Sequence, residues 1–158
     1  YIDKLNRSIN EHLGKLKWQP DLILTSYHGL PRRYLDLGDP YHCHCHKTTR
    51  LLKEMNKENS EKIMLSFQSR FGREEWLKPY TEDTVIQLAN DGIKKLAILS
   101  PAFFSDCVET LEELNIGIQE VFRENGGEEF TLIPCLNDSK DGIELLEYLI
   151  NNELQGWV

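Results

Sequence analysis

Asp21 to Pro31 reads DLILTSYHGLP, and this stretch decides the fold. Asp21–Leu–Ile–Leu–Thr25 is a short apolar run, the pattern of a strand buried on both faces. Pro20 bounds it before, and Gly29, Pro31, Gly38 and Pro40 punctuate the long loop after it. Ahead of it, Ile2, Leu5, Ile9, Leu13 and Leu16 keep helical spacing, so an amphipathic helix leads in. Beyond the loop, a helix is expected from about His42 to Met55, with Leu51, Leu52 and Met55 on its apolar side.

The same order then recurs. Ile63–Phe67 reads as a strand, and Thr81 is placed to cap a helix whose first turn holds Glu82 and Asp83. Leu96–Leu99 is a third strand, and a helix from about Asp106 stops at Gly126-Gly127. Phe130–Pro134 is a fourth strand, and Gly142–Leu154 the last helix. Strands alternating with helices at this spacing predict an α/β fold: one three-layer, Rossmann-like domain, with a four-stranded parallel sheet flanked by helices. In such sheets ligands sit at the carboxyl ends of the strands. Tyr27-His28, Gln68-Ser69-Arg70, Phe103 to Asp106 and Asn137 all fall there, so four loops converge on one rim.

Bulk properties exclude several classes. A chain of 158 residues is one domain by length and can bury a real core. Its net charge of −8 argues against a nucleic-acid groove, which needs a basic patch. The longest apolar run, Leu96–Phe104, is too short to cross a bilayer, and no signal peptide is visible. Cys43, Cys45, Cys107 and Cys135 are too oddly spaced for a secreted disulfide scaffold, which predicts a reducing, cytoplasmic setting. The chain opens at Tyr1 without a Met, directly before a helical pattern, and reads as a piece of something longer.

Candidate residues each carry two readings. His28 stands just past a strand; an imidazole titrates near neutral pH and ligates first-row metals, yet a histidine there can equally hold a loop. Asp106, Glu109 and Glu113 share one helical face with Glu120, opposite Val108, Leu111, Ile118 and Phe122. On periodicity alone this is the solvated side of a surface helix; functionally it is a carboxylate row that attracts cations and passes protons. Gln68, Ser69, Arg70, Phe71, Arg73 and Trp76 mix aromatic faces with guanidinium forks, which suits a flat ligand with carboxylate arms or a self-anchored loop. The dense stretch YHCHCH, Tyr41–His46, places His42 and His46 four apart on a helix, where they could jointly hold a metal. A structural zinc site normally pairs such a knuckle with a second Cys/His pair, and Cys107 and Cys135 are isolated. A polar helix start is the simpler reading.

Taken together, SYHGLPRRYLDLGDPY, LSFQSRFGREEWLKPYT and SPAFFSDCVETLEELN resemble the three signature segments of ferrochelatases, in order and with family spacing. The resemblance spans nearly the whole chain. It implies a chelatase-type fold and insertion of ferrous iron into protoporphyrin IX to form haem. His28 matches the family's active-site histidine, proposed as acceptor of pyrrole protons or as metal ligand. Glu109 matches the glutamate facing it, and Asp106 and Glu113 match the acidic row leading away, on a helix the family widens into π-geometry. Trp76, Ser69 and Phe103 match residues of the porphyrin pocket, and Leu30 and Pro31 beside the histidine are expected to line it. Where animal members carry a second histidine in the acidic motif, this chain has Cys107, so no role of that histidine transfers.

The resemblance further implies a bacterial type, ending at LQGWV without a cysteine-bearing extension, and covers only the second of the family's two similar halves. Tyr1–Trp18 would be the helix crossing between them, and residues 1–158 the C-terminal domain. The expected partners are protoporphyrin IX, ferrous iron as substrate, and the N-terminal half that supplies the other cleft wall. Without that half the chain is expected to fold but to be inactive and to bind porphyrin poorly. No tightly bound cofactor and no iron–sulfur cluster is expected, and peripheral membrane contact stays open because the product is apolar. Two alternatives stand beside this reading: a small chelatase acting on a cobalt or sirohydrochlorin-type tetrapyrrole, and a non-enzymatic metal-binding module using HCHCH. The small chelatases lack the FQSRFG and SDCxETLEE segments seen here.

Overall fold

The computed structural model describes residues 1–157; Val158, last of the LQGWV ending, lies outside the described residues. Four strands, β1 (Leu22–His28), β2 (Ile63–Gln68), β3 (Lys95–Leu99) and β4 (Glu129–Ile133), form one parallel sheet in the order β2-β1-β3-β4. The helices are α1 (Ile2–Gly14), α2 (Arg32–Asp36), α3 (Tyr41–Met55), α4 (Thr81–Asn90), α5 (Gln119–Glu124) and α6 (Lys140–Glu153). A π-helix, Glu109–Ile118, runs directly into α5.

Period-two alternation along the strands sorts the core onto two faces. Ile23, Ala97 and Leu99 pack under α1, α3 and α6 with Leu5, Ile9, Leu13, Leu52 and Leu145. Leu22, Leu24, Leu96 and Ile98 pack under α4 and the π-helix with Val85, Ala89, Leu114, Ile118 and Phe122. Both faces are covered, which is why the strands read as continuous apolar runs. A third, smaller cluster of Tyr27, Cys45, Phe67 and Leu77 seals the carboxyl-terminal rim beneath Leu30 and Tyr41.

Several expectations need adjustment. Strand β1 continues to His28, so the histidine is the last strand residue rather than the first of the loop. The pairing Ser26↔Ser66, Tyr27↔Phe67, His28↔Gln68 carries it on. Helix α1 closes at Gly14, before Trp18. Thr81 does not cap α4: Tyr80 holds that position, and the buried Thr81 hydroxyl meets Ser26 and Ser66 at 2.8 and 2.9 Å. Helix α3 buries Cys45, Thr49 and Leu52, while Met55 is exposed.

The acidic segment departs from the reading by periodicity and takes the π-geometry that the resemblance implied. An α-helix brings every 3.6 residues to one face, but i→i+5 bonding widens the turn. Residues four apart then stay nearly in line: Thr110, Leu114, Ile118 and Phe122 are all buried. Val108 and Leu111, expected on the apolar face, are exposed.

Candidate active site

Strands β1 and β3 are neighbours, but the chain leaves β1 toward β2 and leaves β3 toward β4. Loops departing in opposite directions open a crevice between adjacent strand ends, the preferred ligand position in such sheets. His28 ends β1 at that crevice, and the loop after β3 supplies Phe103, whose ring centroid lies 6.2 Å from the imidazole. The Trp76 ring centroid lies 6.4 Å from the imidazole.

The orientation of His28 assigns its proton. Nδ1 lies 2.7 Å from the Gly29 carbonyl oxygen, an atom that can only accept. In the neutral ring the hydrogen therefore sits on Nδ1, and Nε2 keeps its lone pair. The His28 carbonyl in turn accepts from the Tyr41 hydroxyl at 2.8 Å, tying the strand end to α3.

Beside His28, the Leu30–Pro31 segment is tied to the Trp76–Leu77 segment. The Leu77 N–H donates to the Leu30 carbonyl at 2.9 Å, and Pro31 pairs with Trp76 in an isolated antiparallel bridge. Gly29 lies where these segments meet β2. A Cβ there would stand 2.8 Å from the Gln68 carbonyl oxygen and 3.0 Å from the Trp76 ring. The indole Nε1 of Trp76 is buried and has no hydrogen-bond partner among the described residues.

Glu109 opens the π-helix. Its carboxyl is held below the usual glutamate range first by a hydrogen bond from the Cys107 thiol, then by its own backbone N–H and by the nearby charge of His28. It is an anion at neutral pH, and a protonated His28 adds to that preference. Glu113, four residues on in the same row, accepts from both the N–H and the hydroxyl of Ser69, each at 2.6 Å.

Asp106 faces elsewhere. Its carboxylate accepts from Asn137 Nδ2 at 2.6 Å, the Thr110 hydroxyl at 3.0 Å and the Cys135 N–H at 3.4 Å, while its own N–H donates to Asn137 Oδ1 at 2.8 Å. Burial pushes this carboxyl up, but the bonds from Asn137, Cys135 and Thr110 outweigh it and leave it below the usual aspartate range. The structure thus brings Phe103 and Trp76 to His28, links Glu113 to Ser69, and joins Asp106 to the loop after β4.

Sequence reasoning placed Gln68 on the rim but gave it no organising role. Buried Gln68 accepts from the Ser26 hydroxyl at 2.8 Å and the Ser100 hydroxyl at 3.3 Å, and donates from Nε2 to the Glu109 carbonyl at 3.0 Å. It joins three strand ends to the first turn of the π-helix. The available signal was a polar residue closing each of three apolar runs: Ser26, Gln68 and Ser100.

A family profile described as Ferrochelatase matches residues 1–154. Curated proteins named "Ferrochelatase" match the whole chain: 56% identical in Allorhizobium ampelinum, 53% in Agrobacterium fabrum and 51% in Rhizobium meliloti. The chain spans 46%, 46% and 47% of those proteins, about half their length. Among solved structures, a putative cobalamin (vitamin B12) biosynthesis CbiX protein from Marinobacter aquaeolei superposes with a TM-score of 0.56. That match covers 86% of this chain and 98% of the other at 15% identity, a likeness of fold alone. By the profile and by identity over its full length, the chain belongs to the ferrochelatase family.

Proposed function

We propose that this chain is the C-terminal half of an enzyme that inserts ferrous iron into protoporphyrin IX, with His28 and Glu109 at the reacting centre. The observation that carries the reading is His28 itself, at a strand end beside Phe103 and Trp76, with Nδ1 donating to Gly29 so that Nε2 keeps its lone pair. Metallation exchanges two pyrrole N–H protons for Fe²⁺. A lone pair on Nε2 serves either half of that exchange, as acceptor of a proton or as a ligand that relieves iron of water. The Glu109 carboxylate balances the cation or the resulting imidazolium, and Glu113 continues the acidic row outward, while Asp106 steadies the start of that row through Asn137.

Trp76, Phe103, Leu30, Pro31 and Ser69 supply the apolar and polar lining for one face of a macrocycle. Binding energy on that face favours a distorted ring whose nitrogens are exposed. No helix among the described residues is long and apolar enough to cross a membrane.

The test is metal insertion by the polypeptide that joins this chain to an upstream half. His28→Ala is expected to lower the rate by about 10²–10⁴-fold, the usual contribution of a positioned base. Glu109→Gln is expected to fall in the same range, and Cys43→Ser/Cys45→Ser to stay near the parent. Retained activity in His28→Ala with loss in the double cysteine variant would overturn the assignment.

A further inference from the structure

His42 and His46, on the first turns of α3, take no part in the site above. Their Nε2 atoms lie 3.1 Å apart, with ring centroids at 4.4 Å and planes tilted by 48°. His42 is stacked on Phe67, centroids 5.7 Å apart and planes within 17°, which fixes its rotamer. His46 lies 6.4 Å from the same ring. Helix α3 is itself pinned, because Cys45 and Thr49 are buried beneath this face. Packing holds His42, and the exposed His46 meets it through a hydrogen bond between the two rings.

We propose that His42 and His46 form a binding site for one first-row divalent cation, distinct from the His28–Glu109 centre. The spacing carries the argument. With metal–nitrogen bonds of about 2.0–2.1 Å, nitrogens 3.1 Å apart subtend roughly 100° at a shared ion. That lies between the octahedral and tetrahedral angles, so the separation suits one shared ion, which would replace the hydrogen bond between the rings. Two imidazoles select zinc, nickel, copper or iron over magnesium and calcium, which take oxygen ligands.

Burial, then His46 and the positive charge of Arg32, lower the basicity of the His42 ring. Arg32 opposes an incoming cation, and its pairing with Asp36 at 3.4 Å moderates that repulsion. No third His, Cys, Asp or Glu among the described residues completes a cluster with the pair. Water fills the remaining positions, so the site is open and its affinity modest. Cys43 and His44 project from other sides of the helix and contribute nothing to it.

Nickel(II) titration in a calorimeter tests the proposal, in a His28→Ala background that removes the other imidazole centre. One ion per chain is expected, with binding weakened at least tenfold by His46→Gln, an exposed position whose replacement leaves the fold intact by circular dichroism. His44→Gln and Cys43→Ser are expected to bind within about twofold of the parent. Copper(II) held there is expected to give paramagnetic resonance coupling to two nitrogens, reduced to one in His46→Gln. Binding unchanged by His46→Gln, binding absent once His28 is replaced, or binding lost with Cys43→Ser each overturns the site.

Discussion

Glu113 accepts both the backbone N–H and the hydroxyl of Ser69, each at 2.6 Å, and so holds a non-glycine residue at a φ of +64°. One carboxylate thereby locks the loop after β2 to the π-helix. A left-handed residue costs roughly 1–2 kcal/mol, which these charged bonds offset. Glu113→Ala is expected to cost about 1–3 kcal/mol in urea unfolding, because two donors lose their acceptor. Ser69→Gly should be milder than Ser69→Ala, since glycine removes the strain along with the hydroxyl. Equal losses in the two Ser69 variants would mean that the backbone there is unstrained.

Gly29 is needed for space rather than for φ. Its N–H donates to the Gln68 carbonyl at 2.8 Å, the same oxygen a Cβ would meet at 2.8 Å, so neither chain can withdraw without breaking that bond. Gly29→Ala is expected to cost about 1–3 kcal/mol and to change the tryptophan emission through Trp76. An unaltered spectrum at parental stability would refute the close approach.

The wide turn of the π-helix makes a sharp comparison possible between two leucines three positions apart. Leu114 is fully buried and Leu111 is 51% exposed. Leu114→Ala is expected to cost about 2–5 kcal/mol, and Leu111→Ala less than about 0.5 kcal/mol. Thermal unfolding of the pair distinguishes this register from a continuous α-helix, which would bury Leu111.

Asp106 predicts a limb in the stability profile. Its carboxyl titrates below the usual aspartate value in the folded state, so near pH 4 the unfolded chain binds more protons. The stabilisation is complete above the unfolded value and is lost as pH falls through the lower folded one. Asp106→Asn is expected to be less stable at pH 7 by about 1–3 kcal/mol, with the difference closing toward pH 3. A difference independent of pH would assign the effect to packing.

Cys107 is expected to tune the acid limb of activity. Its thiol bond is the leading reason that Glu109 ionises below the usual range. Cys107→Ala should raise that threshold, so metal insertion by the joined polypeptide fails at a higher pH than in the parent. An unmoved acid limb would place the critical ionisation on another group.

Much of this was legible before the structure. The strands were readable because parallel strands covered on both faces need continuous apolar runs, as Ile63–Phe67 and Leu96–Leu99 provide. The π-register was not legible from periodicity, because the choice of i→i+5 bonding leaves no mark in residue propensity. It coincides here with bonds from Gln68 and Ser69, which are distant in sequence. Thr81 looked like a cap for a related reason: a hydroxyl at a helix start serves equally well inside a buried Ser26–Ser66–Thr81 network, and only packing chooses.

The amino-acid sequence alone determined the alternation of strands and helices, the rim where function concentrates, and the family through three long segments. These are local or linear properties, carried by side-chain period and by residues close in the chain. The tertiary structure alone decided which nitrogen of His28 bears the hydrogen, that Glu113 answers to Ser69 while Asp106 answers to Asn137, and that His42 and His46 meet at 3.1 Å over Phe67. Each depends on the position of an acceptor or a ring to within a few tenths of an ångström. Such positions arise only when separate loops close onto one packed sheet, and no pattern along the chain encodes them directly.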